Sequence, residues 1–390
     1  MNPALKNLLR PHYIDLQGYV SAGMESDKSA EKIFLNANEN PYELPDLEGF
    51  NRYPEPQPKA LAAAYAKAYD IAPDQIVMTR GADEAIVILT KLFCEPTPNQ
   101  HPREGGDLQQ TTGDAVLVCP PTFGMYGVDA KAMPSNVVEV PLLKENGTFA
   151  LDKEKIIETA LSYTPSPHRG EGRGGGASIK LIYICSPNNP TGTSFPHDQI
   201  AEICREVEGQ AVVILDETYA EFSSQGSMTA RLADHPNLII LRTLSKSYSM
   251  AGMRMGCFIS GDTNFIALVK AKALDAYPLP QASVEAALHA LSGDIRPIAK
   301  ANIEKLIAER ERLIPLLSGN PLVRHIYPSD ANFLLIEMEK AGEFIKFATQ
   351  NNVVIRDFST KPYTEDCIRL SIGTPEQNNL VLKLLNDFAP

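Results

Sequence analysis

Three charged residues in the middle of the chain stand next to apolar runs that are typical of buried strands. Asp216 closes the run VVILD, Lys246 follows NLIILRTLS, and Arg254 comes eight positions later within AGMRMG. A lysine in an apolar crevice favours its amine form, which Schiff-base chemistry requires. A buried carboxylate needs a cation or a protonated ring nitrogen as its partner, and the planar fork of an arginine suits a phosphate.

Two further segments place polar groups at predicted strand ends. TRGADE, which contains Ala82 and Asp83, joins a strand to a helix whose first N–H groups can bind phosphate, and SPNNPTG supplies Asn189. Taken singly, each is an ordinary helix start or turn. Taken together with the lysine, the carboxylate and the arginine, they meet the needs of an aldehyde-bearing pyridinium phosphate.

The elements that must position these residues predict an α/β fold. From about residue 60 to 260, short β-rich runs such as IKLIYIC and AVVILD alternate with amphipathic stretches. This alternation indicates a largely parallel sheet covered by helices on both faces, and ligands of such sheets gather at the carboxyl ends of the strands. The last hundred residues predict a smaller α+β lobe, in which the helix ANIEKLIAERERLIPLL precedes three strands.

The chain divides into two predicted structural units. We predict a large domain over residues 46–284, and a second unit in which an N-terminal arm, residues 1–45, joins a small domain, residues 285–390. Two polar segments rich in Gly and Pro, at about 97–114 and 164–178, predict surface excursions because they cannot bury enough apolar area to order themselves. Asn146-Gly147, between VVEVPLL and FAL, predicts a hairpin turn.

The composition excludes several classes of protein. A net charge of −12 argues against a nucleic-acid or anionic-membrane partner, and no stretch approaches about 18 uninterrupted apolar residues. The six cysteines lie far apart without a C-x-x-C pair, which indicates buried free thiols in a reducing compartment. We therefore expect a cytoplasmic protein with small-molecule ligands, no metal site, no nucleic-acid partner and no membrane partner.

Several longer phrases carry a family resemblance: NANENPY, NRYPEPQPKAL, TRGADEAI, CPPTFGMY, CSPNNPTG, ILDETYAEF, LRTLSKSYSMAGMRMG and RD followed by IRLSIGT. Together they resemble the fold type I pyridoxal-phosphate-dependent aminotransferases, and more closely the histidinol-phosphate aminotransferases. The resemblance covers nearly the whole chain apart from the two inserts. It implies a mostly parallel seven-stranded sheet between helices in the large domain, a smaller α+β domain, pyridoxal 5'-phosphate as cofactor, and a homodimer.

The resemblance also implies roles for individual residues. Lys246 would bind the cofactor as a Schiff base and move the proton at the reacting carbon, Asp216 would keep the pyridine nitrogen protonated, and Tyr219 would hydrogen-bond the phenolic oxygen. Tyr53 would cross the interface to the partner subunit's site. The residues implied to contact the cofactor are Ala82, Asp83, Phe123, Asn189, Asp216, Tyr219, Ser245, Lys246, Arg254 and Tyr53, with Phe123 stacked on the ring.

Substrate recognition is implied to involve the C-terminal lobe. Arg369, in CIRLSIG, corresponds to the arginine that binds a substrate carboxylate through a bidentate pair, and relatives place an arginine at Arg356 for a substrate phosphate. Tyr19 would add a hydroxyl from the N-terminal arm, and Asn189 would contact the substrate as well as the cofactor.

The implied reaction is amino transfer between L-histidinol phosphate and 2-oxoglutarate in histidine biosynthesis. An aromatic amino-acid aminotransferase is the alternative with the same cofactor site, and a threonine-phosphate decarboxylase is a further one. A non-catalytic, ligand-sensing regulator would need a DNA-binding extension, and neither terminus offers a basic helix-turn-helix segment. The residues that contact an imidazole ring do not follow from one sequence.

Overall fold

A computed structural model describes residues 1–18, 33, 35–96, 113–163 and 178–388. Within these ranges the chain forms two sheets and one hairpin. The strands are β1 Ile76–Thr79, β2 Ala115–Val118, β3 Asn136–Glu139, β4 Leu143–Glu145, β5 Thr148–Ala150, β6 Ile179–Cys185, β7 Val212–Asp216, β8 Leu238–Thr243, β9 Gly256–Ser260, β10 Val323–Ile326, β11 Phe333–Met338, β12 Arg356–Asp357 and β13 Cys367–Ser371.

Helices cover both sheets. The α-helices are α1 Pro3–Lys6, α2 His12–Asp15, α3 Lys59–Tyr69, α4 Gly81–Phe93, α5 Met125–Ala132, α6 Lys153–Ser162, α7 His197–Glu206, α8 Thr263–Lys272, α9 Gln281–Ala290, α10 Arg296–Ser318, α11 Ala341–Gln350 and α12 Pro375–Phe388. The long helix predicted near the C-terminus is thus α10. Among the helices of the described ranges, none is long and apolar enough to cross a membrane.

The large sheet has seven strands in the order β1-β9-β8-β7-β6-β2-β3. Every neighbouring pair from β8 to β3 is parallel, whereas β9 runs antiparallel to both of its neighbours. This sheet confirms the mostly parallel, seven-stranded prediction. Because β9 alone is reversed, the other strands all end at one edge, which we call the carboxyl edge.

Both faces of the large sheet are buried, as near-continuous apolar strands require. In β7, Val213 and Leu215 point into one core cluster, and Val212 and Ile214 point into a second cluster on the opposite face. Successive side chains of a strand alternate between faces. A strand of this kind therefore needs an apolar residue at every position, and the only charge in β7 is the one at its last residue, Asp216.

The hairpin formed by β4 and β5 confirms the predicted turn. Asn146 and Gly147, which join the two strands, have φ of 50° and 74°. Positive φ at both central residues is the geometry that favours Asn-Gly in a two-residue hairpin. The hairpin contacts the small domain, where the His325 Nε2 lies 2.6 Å from the Gly147 carbonyl oxygen.

The small domain is an antiparallel sheet in the order β10-β11-β13-β12, packed against α10, α11 and α12 around its own apolar cluster. This arrangement agrees with the predicted α+β lobe. The predicted strand NVVIRD is shorter than expected, since only Arg356 and Asp357 pair with a neighbour. Arg356 lies opposite Arg369 in that pairing.

Two segments outside the central part of the large domain also pack on the large sheet. Near the N-terminus, the buried side chains of Leu5, Leu8, Leu9 and Tyr13 join the core of the large sheet rather than that of the small domain. Helix α9, which crosses the predicted boundary between residues 284 and 285, buries Val284 and Ala287 against the opposite face of the large sheet. Apolar side chains on short amphipathic segments bury against whichever face is open. The boundaries at residues 45 and 285 otherwise stay a prediction.

Candidate functional site

A cavity of about 880 Å³ opens at the carboxyl edge, between the large sheet and the small domain. Its lining includes nearly all the predicted site residues: Ala82, Asp83, Phe123, Asn189, Asp216, Tyr219, Ser245, Lys246, Arg254, Arg356 and Arg369. Tyr53 is not part of the described lining, and Tyr19 lies outside the described residues. The strand ends thus bring together side chains that are up to 287 positions apart in the sequence.

The Asp216 carboxylate is buried at the end of β7, with 4% of the residue exposed. Its Oδ1 accepts hydrogen bonds from the Thr218 backbone N at 3.0 Å and from the Thr218 Oγ1 at 2.5 Å. Its Oδ2 accepts one from the Tyr126 hydroxyl at 2.6 Å. Burial raises the pKa of Asp216, and the Thr218 and Tyr126 donors oppose that rise. The cavity wall therefore contains a carboxylate whose charge depends on its hydrogen-bond partners.

Lys246 follows β8 and extends into the cavity. Its Nζ lies 5.9 Å from the centre of the Tyr219 ring. Burial, followed by the positive charge of Arg369, lowers the pKa of Lys246, whereas the charges of Asp83 and Asp216 raise it. The net lowering favours the neutral amine, which is the nucleophilic form.

The start of α4 and the start of β9 form one corner of the cavity. Gly256 permits their close approach, because a Cβ there would lie 2.7 Å from the Gly81 carbonyl carbon. Gly81 itself has φ of +80°, a conformation that favours glycine. The Arg254 Nη2 donates to the Asp83 Oδ2 at 2.9 Å, beside the first turn of the helix. A guanidinium and a helix N-terminus therefore meet at one point, an arrangement that binds phosphate.

Ser245 lines the same cavity as Arg254 and the start of α4. The Thr243 Oγ1 accepts from the Ser245 backbone N at 3.2 Å, and it lies 3.0 Å from both the Ser245 Oγ and the Met255 carbonyl oxygen. These bonds join the two ends of the segment 243–256. That segment therefore holds Lys246 and Arg254 in a fixed relation.

The opposite wall contains Asn189 and Phe123, each in a turn that follows a strand. Asn188 joins the two turns: its Nδ2 donates to the Pro121 carbonyl oxygen at 2.9 Å, and its Oδ1 accepts from the Thr122 Oγ1 at 3.1 Å. Asn188 is 1% exposed. The bond network therefore fixes the spacing between the turns that carry the aromatic ring and the amide.

Two arginines of the small domain close the cavity. The Arg369 Nη1 donates to the Asn189 Oδ1 of the large domain, and its Cζ lies 5.2 Å from the Phe333 ring centre and 5.6 Å from the Phe358 ring centre. The Arg369 Nε is buried and has no hydrogen-bond partner among the described residues. Neighbouring cations repel each other, so the side-by-side pair of Arg356 and Arg369 is suited to an anionic ligand.

Behind the cavity wall, Arg242 in β8 forms a buried ion cluster. It contacts Glu217 at 2.8 Å and Glu221 at 2.6 Å, and its Cζ lies 4.4 Å from the Tyr69 ring centre. The two glutamates flank Tyr219 in the sequence ETYAE. The cluster therefore anchors the segment that presents Tyr219 to the cavity.

We expect Arg242→Met to lower the free energy of unfolding by about 3–5 kcal/mol, because two buried carboxylates would lose their partner. Denaturant unfolding measures this loss. The matched control is Arg231→Met, which removes an exposed pair with Asp198 and should cost about 0–1 kcal/mol. Equal losses in the two variants would contradict the structural role of the buried cluster.

Sequence reasoning missed several parts of this site. The contact with Thr218 could have been predicted, because an aspartate side chain commonly accepts a hydrogen bond from the backbone two residues later. Tyr126 lies in the first turn of α5, after the phrase CPPTFG, but no sequence pattern predicts that its hydroxyl reaches Asp216. The loop 361–364 between β12 and β13 also lines the cavity. Among the described residues, no group of three or more His, Cys, Asp or Glu side chains could hold a metal ion.

Sequence comparisons show which known proteins the chain resembles. A family model described as aminotransferase class I and II matches residues 12–385. Histidinol-phosphate aminotransferase 2 of Idiomarina loihiensis is 36% identical over 389 residues, covering 98% of this chain and 99% of the relative. Histidinol-phosphate aminotransferase of Xylella fastidiosa is 35% identical over 388 residues, covering 99% of this chain and 97% of the relative.

Solved structures confirm the predicted fold class. The crystal structure of histidinol-phosphate aminotransferase from Clostridium acetobutylicum aligns with a TM-score of 0.71 at 21% identity, over 86% of this chain and 90% of that chain. That of histidinol-phosphate aminotransferase from Sinorhizobium meliloti, in complex with pyridoxal-5'-phosphate, aligns with a TM-score of 0.70 at 19% identity, over 87% of this chain and 84% of that chain.

Proposed function

Because the chain belongs to the aminotransferase class I and II family, we propose that it transfers the amino group of L-histidinol phosphate to 2-oxoglutarate. The products are imidazole acetol phosphate and glutamate, and the cofactor is pyridoxal 5'-phosphate. The observation that carries the proposal is that one cavity contains Lys246, Asp216 and Arg254 on one side and the paired arginines 356 and 369 on the other.

The residues of the cavity fit this cofactor. Asp216 is a buried carboxylate at the wall, which suits a protonated ring nitrogen. The start of α4, with Ala82 and Asp83, would bind the phosphate together with Ser245 and Arg254. When bound, the cofactor supplies an aldehyde and an electron-accepting pyridinium ring, which stabilises the negative charge left when a proton leaves the substrate carbon.

Lys246 has two tasks in this proposal. Its amine would hold the cofactor covalently, and its lowered pKa favours the neutral amine that such a bond requires. The Lys246 amine would also move the proton to and from the reacting carbon of the substrate. A general base works best when its pKa lies near the operating pH, and burial lowers the pKa of Lys246 toward that range.

The surrounding groups orient the ring. Asp216 keeps the ring nitrogen protonated, while Tyr219 and Asn189 would hydrogen-bond the phenolic oxygen from either side. Phe123 would stack on the ring face. The Tyr219 side chain is held by the Phe333 ring, at 5.2 Å between ring centres in an edge-to-face contact. The small domain thus helps to position a group that contacts the cofactor.

The substrate half of the cavity is rich in positive charge. Apart from the groups assigned to the cofactor, the charged residues in the described lining are Arg356, Lys361, Arg369 and Glu139. A substrate with a phosphomonoester fits this excess of cations better than a neutral aromatic side chain does. Arg369 would serve the substrate phosphate in one half-reaction and the carboxylate of glutamate in the other.

We expect the cofactor absorbance of wild-type protein loaded with pyridoxal phosphate to change faster with histidinol phosphate than with phenylalanine, when each donor is mixed with the protein in a single half-reaction. Arg356→Gln should lower kcat/KM for histidinol phosphate by about 10- to 100-fold, since charge-assisted hydrogen bonds to a phosphate are lost. The loss should be smaller with glutamate, which has no phosphate.

The matched control is Arg324→Gln, which removes an exposed arginine of the small domain paired with Glu339 and Asp366. It should leave both half-reactions unchanged. Faster conversion by phenylalanine would assign the protein to aromatic amino-acid transfer instead. Release of carbon dioxide from threonine phosphate would indicate a decarboxylase, and no absorbance change with any donor would exclude the enzymatic proposal.

The active unit in this proposal is a homodimer, in which Tyr53 contacts the partner subunit's site. Support comes from the exposed apolar side chains in the sequence before Tyr53, which is itself 47% exposed: Ile33, Leu35, Tyr42, Leu44, Leu47 and Phe50. Large exposed apolar patches mark interaction sites. Tyr53 stacks on Tyr277 with ring centres 4.1 Å apart, which holds the side chain at the surface.

We place the enzyme in the cytoplasm. The six cysteines are free and buried, which supports a reducing compartment. Cys119 illustrates the chemistry: burial raises its pKa to about 12, so the thiol stays protonated and unreactive.

A further inference from the structure

Tyr126, at the start of α5, contacts the predicted catalytic carboxylate although no sequence pattern singled it out. Its hydroxyl donates to the Asp216 Oδ2 at 2.6 Å. Tyr126 is fully buried, and Asp216 is 4% exposed. A hydrogen bond between a phenol and a carboxylate at this distance is charge-assisted and strong. The contact therefore bears directly on the charge and orientation of Asp216.

The two oxygens of Asp216 have different partners. A carboxylate has about four acceptor positions, two on each oxygen. Both acceptor positions of Oδ1 are occupied by hydrogen bonds from Thr218, one from its backbone N and one from its hydroxyl. On Oδ2, Tyr126 takes one, and none of the described residues takes the second. The oxygen that Tyr126 holds is thus the one that can still accept a hydrogen bond from a ligand.

Neighbouring groups decide how much Asp216 depends on Tyr126. The titratable side chains that act on it electrostatically include Lys246, which favours its charged form, and Asp83, which opposes it. Burial, with a smaller contribution from the Asp216 charge, raises the pKa of Cys185, Tyr183 and Tyr219, so these neighbours are neutral. Burial and the Asp216 charge raise the pKa of Tyr126, so the phenol stays protonated and remains a donor.

Packing fixes the Tyr126 ring. It stacks on Tyr183 with ring centres 4.7 Å apart and planes 9° apart, and it meets Phe123 edge-on at 5.5 Å. The Tyr183 hydroxyl in turn lies 3.1 Å from the Thr90 Oγ1. Phe123 lines the cavity, so the Tyr126 ring lies between the cavity wall and the core.

We propose that Tyr126 is a positioning residue for the proposed cofactor: its hydroxyl holds the Asp216 Oδ2 ionised and aimed at the ring nitrogen. This inference rests on the proposed function, because it assigns Asp216 to the pyridine nitrogen. Tyr126 itself touches neither the substrate nor the reacting atoms. Its effect must therefore appear in cofactor binding before it appears in turnover.

The test is cofactor affinity. Full-length Tyr126→Phe protein, stripped of cofactor and titrated with pyridoxal phosphate, should bind about 10- to 100-fold more weakly than wild type, because a charge-assisted hydrogen bond is lost. Losing that donor raises the pKa of Asp216, so the carboxylate becomes protonated at a higher pH. The pH below which affinity falls should therefore move upward in the variant.

The matched control is Tyr183→Phe, which removes a buried hydroxyl from the adjacent stacked ring, bonded to Thr90 instead of Asp216. It should leave the affinity and its pH profile unchanged. In an Asp216→Asn background, Tyr126→Phe should add no further loss, since interacting residues are not additive. 3-Fluorotyrosine at position 126 keeps the ring but makes the phenol a stronger hydrogen-bond donor. The pH below which cofactor affinity falls should therefore move to a lower value.

The outcomes separate the two proposals. If wild-type protein does not bind pyridoxal phosphate, the proposed function fails, and this inference fails with it. If wild type binds and Tyr126→Phe keeps the same affinity and pH profile, only the role of Tyr126 is overturned. Equal losses in Tyr126→Phe and Tyr183→Phe also overturn it, because they indicate a packing effect. Should the phenylalanine variant fail to fold, an unshifted profile with 3-fluorotyrosine overturns it.

Discussion

Lys246→Ala is expected to abolish sustained amino transfer, with kcat/KM lowered by more than about 10⁴-fold. The residue would supply both the covalent bond to the cofactor and the proton transfer at the substrate carbon. The other lysine in the described lining, Lys361, lies on the small-domain loop between β12 and β13, so it does not occupy the place at the end of β8. Steady-state assays with histidinol phosphate and 2-oxoglutarate measure the loss.

Covalent trapping distinguishes loss of chemistry from loss of fold. After borohydride reduction, wild-type protein should gain the mass of one cofactor at the peptide that contains Lys246, and Lys246→Ala should gain none. An exogenous small primary amine should restore part of the proton transfer in the variant. Multiple turnovers by Lys246→Ala without added amine would refute the assignment of this lysine.

Asp216→Asn is expected to lower kcat/KM by about 10²–10³-fold, the usual cost of removing one preorganised electrostatic group. The amide has nearly the shape of the carboxylate, but it cannot carry the negative charge that keeps the ring nitrogen protonated. Cofactor affinity should fall as well. Half-reaction kinetics at saturating cofactor separate the chemical defect from the binding defect.

The matched control is Asp114→Asn, at a second buried aspartate of the large domain. Asp114 is 6% exposed and accepts from the backbone N of Glu95 at 2.9 Å and of Ser178 at 3.2 Å. Its substitution should lower the free energy of unfolding without changing kcat/KM per folded molecule. An Asp216→Asn enzyme as active as that control would contradict the charge argument.

The sequence predicted the cofactor side of the cavity better than the substrate side. Asp216 and Lys246 stand at the ends of apolar strands, and parallel strands end at one edge, so local pattern and a general rule of α/β sheets sufficed for them. The register of the small domain follows no such rule. That Arg356 lies opposite Arg369 depends on strand pairing, which periodicity leaves open.

Contacts between side chains that are far apart in the sequence could not be predicted, for the same reason. Tyr126 and Asp216 are 90 positions apart, and Arg369 and Asn189 are 180 apart. Their meeting depends on how α5 and β13 pack, not on any local preference. The N-terminal helices show the limit in another way: amphipathic spacing predicts that Leu5 and Leu9 are buried, but not against which domain.

The reversed strand β9 has a consequence for how the protein can change. Since β8 ends and β9 begins at the same edge, Lys246 and Arg254, the proposed covalent anchor and phosphate ligand, belong to one short segment that is joined at both ends to the large sheet. The arginines assigned to the substrate come from a different sheet, near the end of the chain. Mutations in the small domain can therefore alter substrate preference without removing residues proposed to bind the cofactor. Substrate specificity can thus evolve separately from cofactor binding.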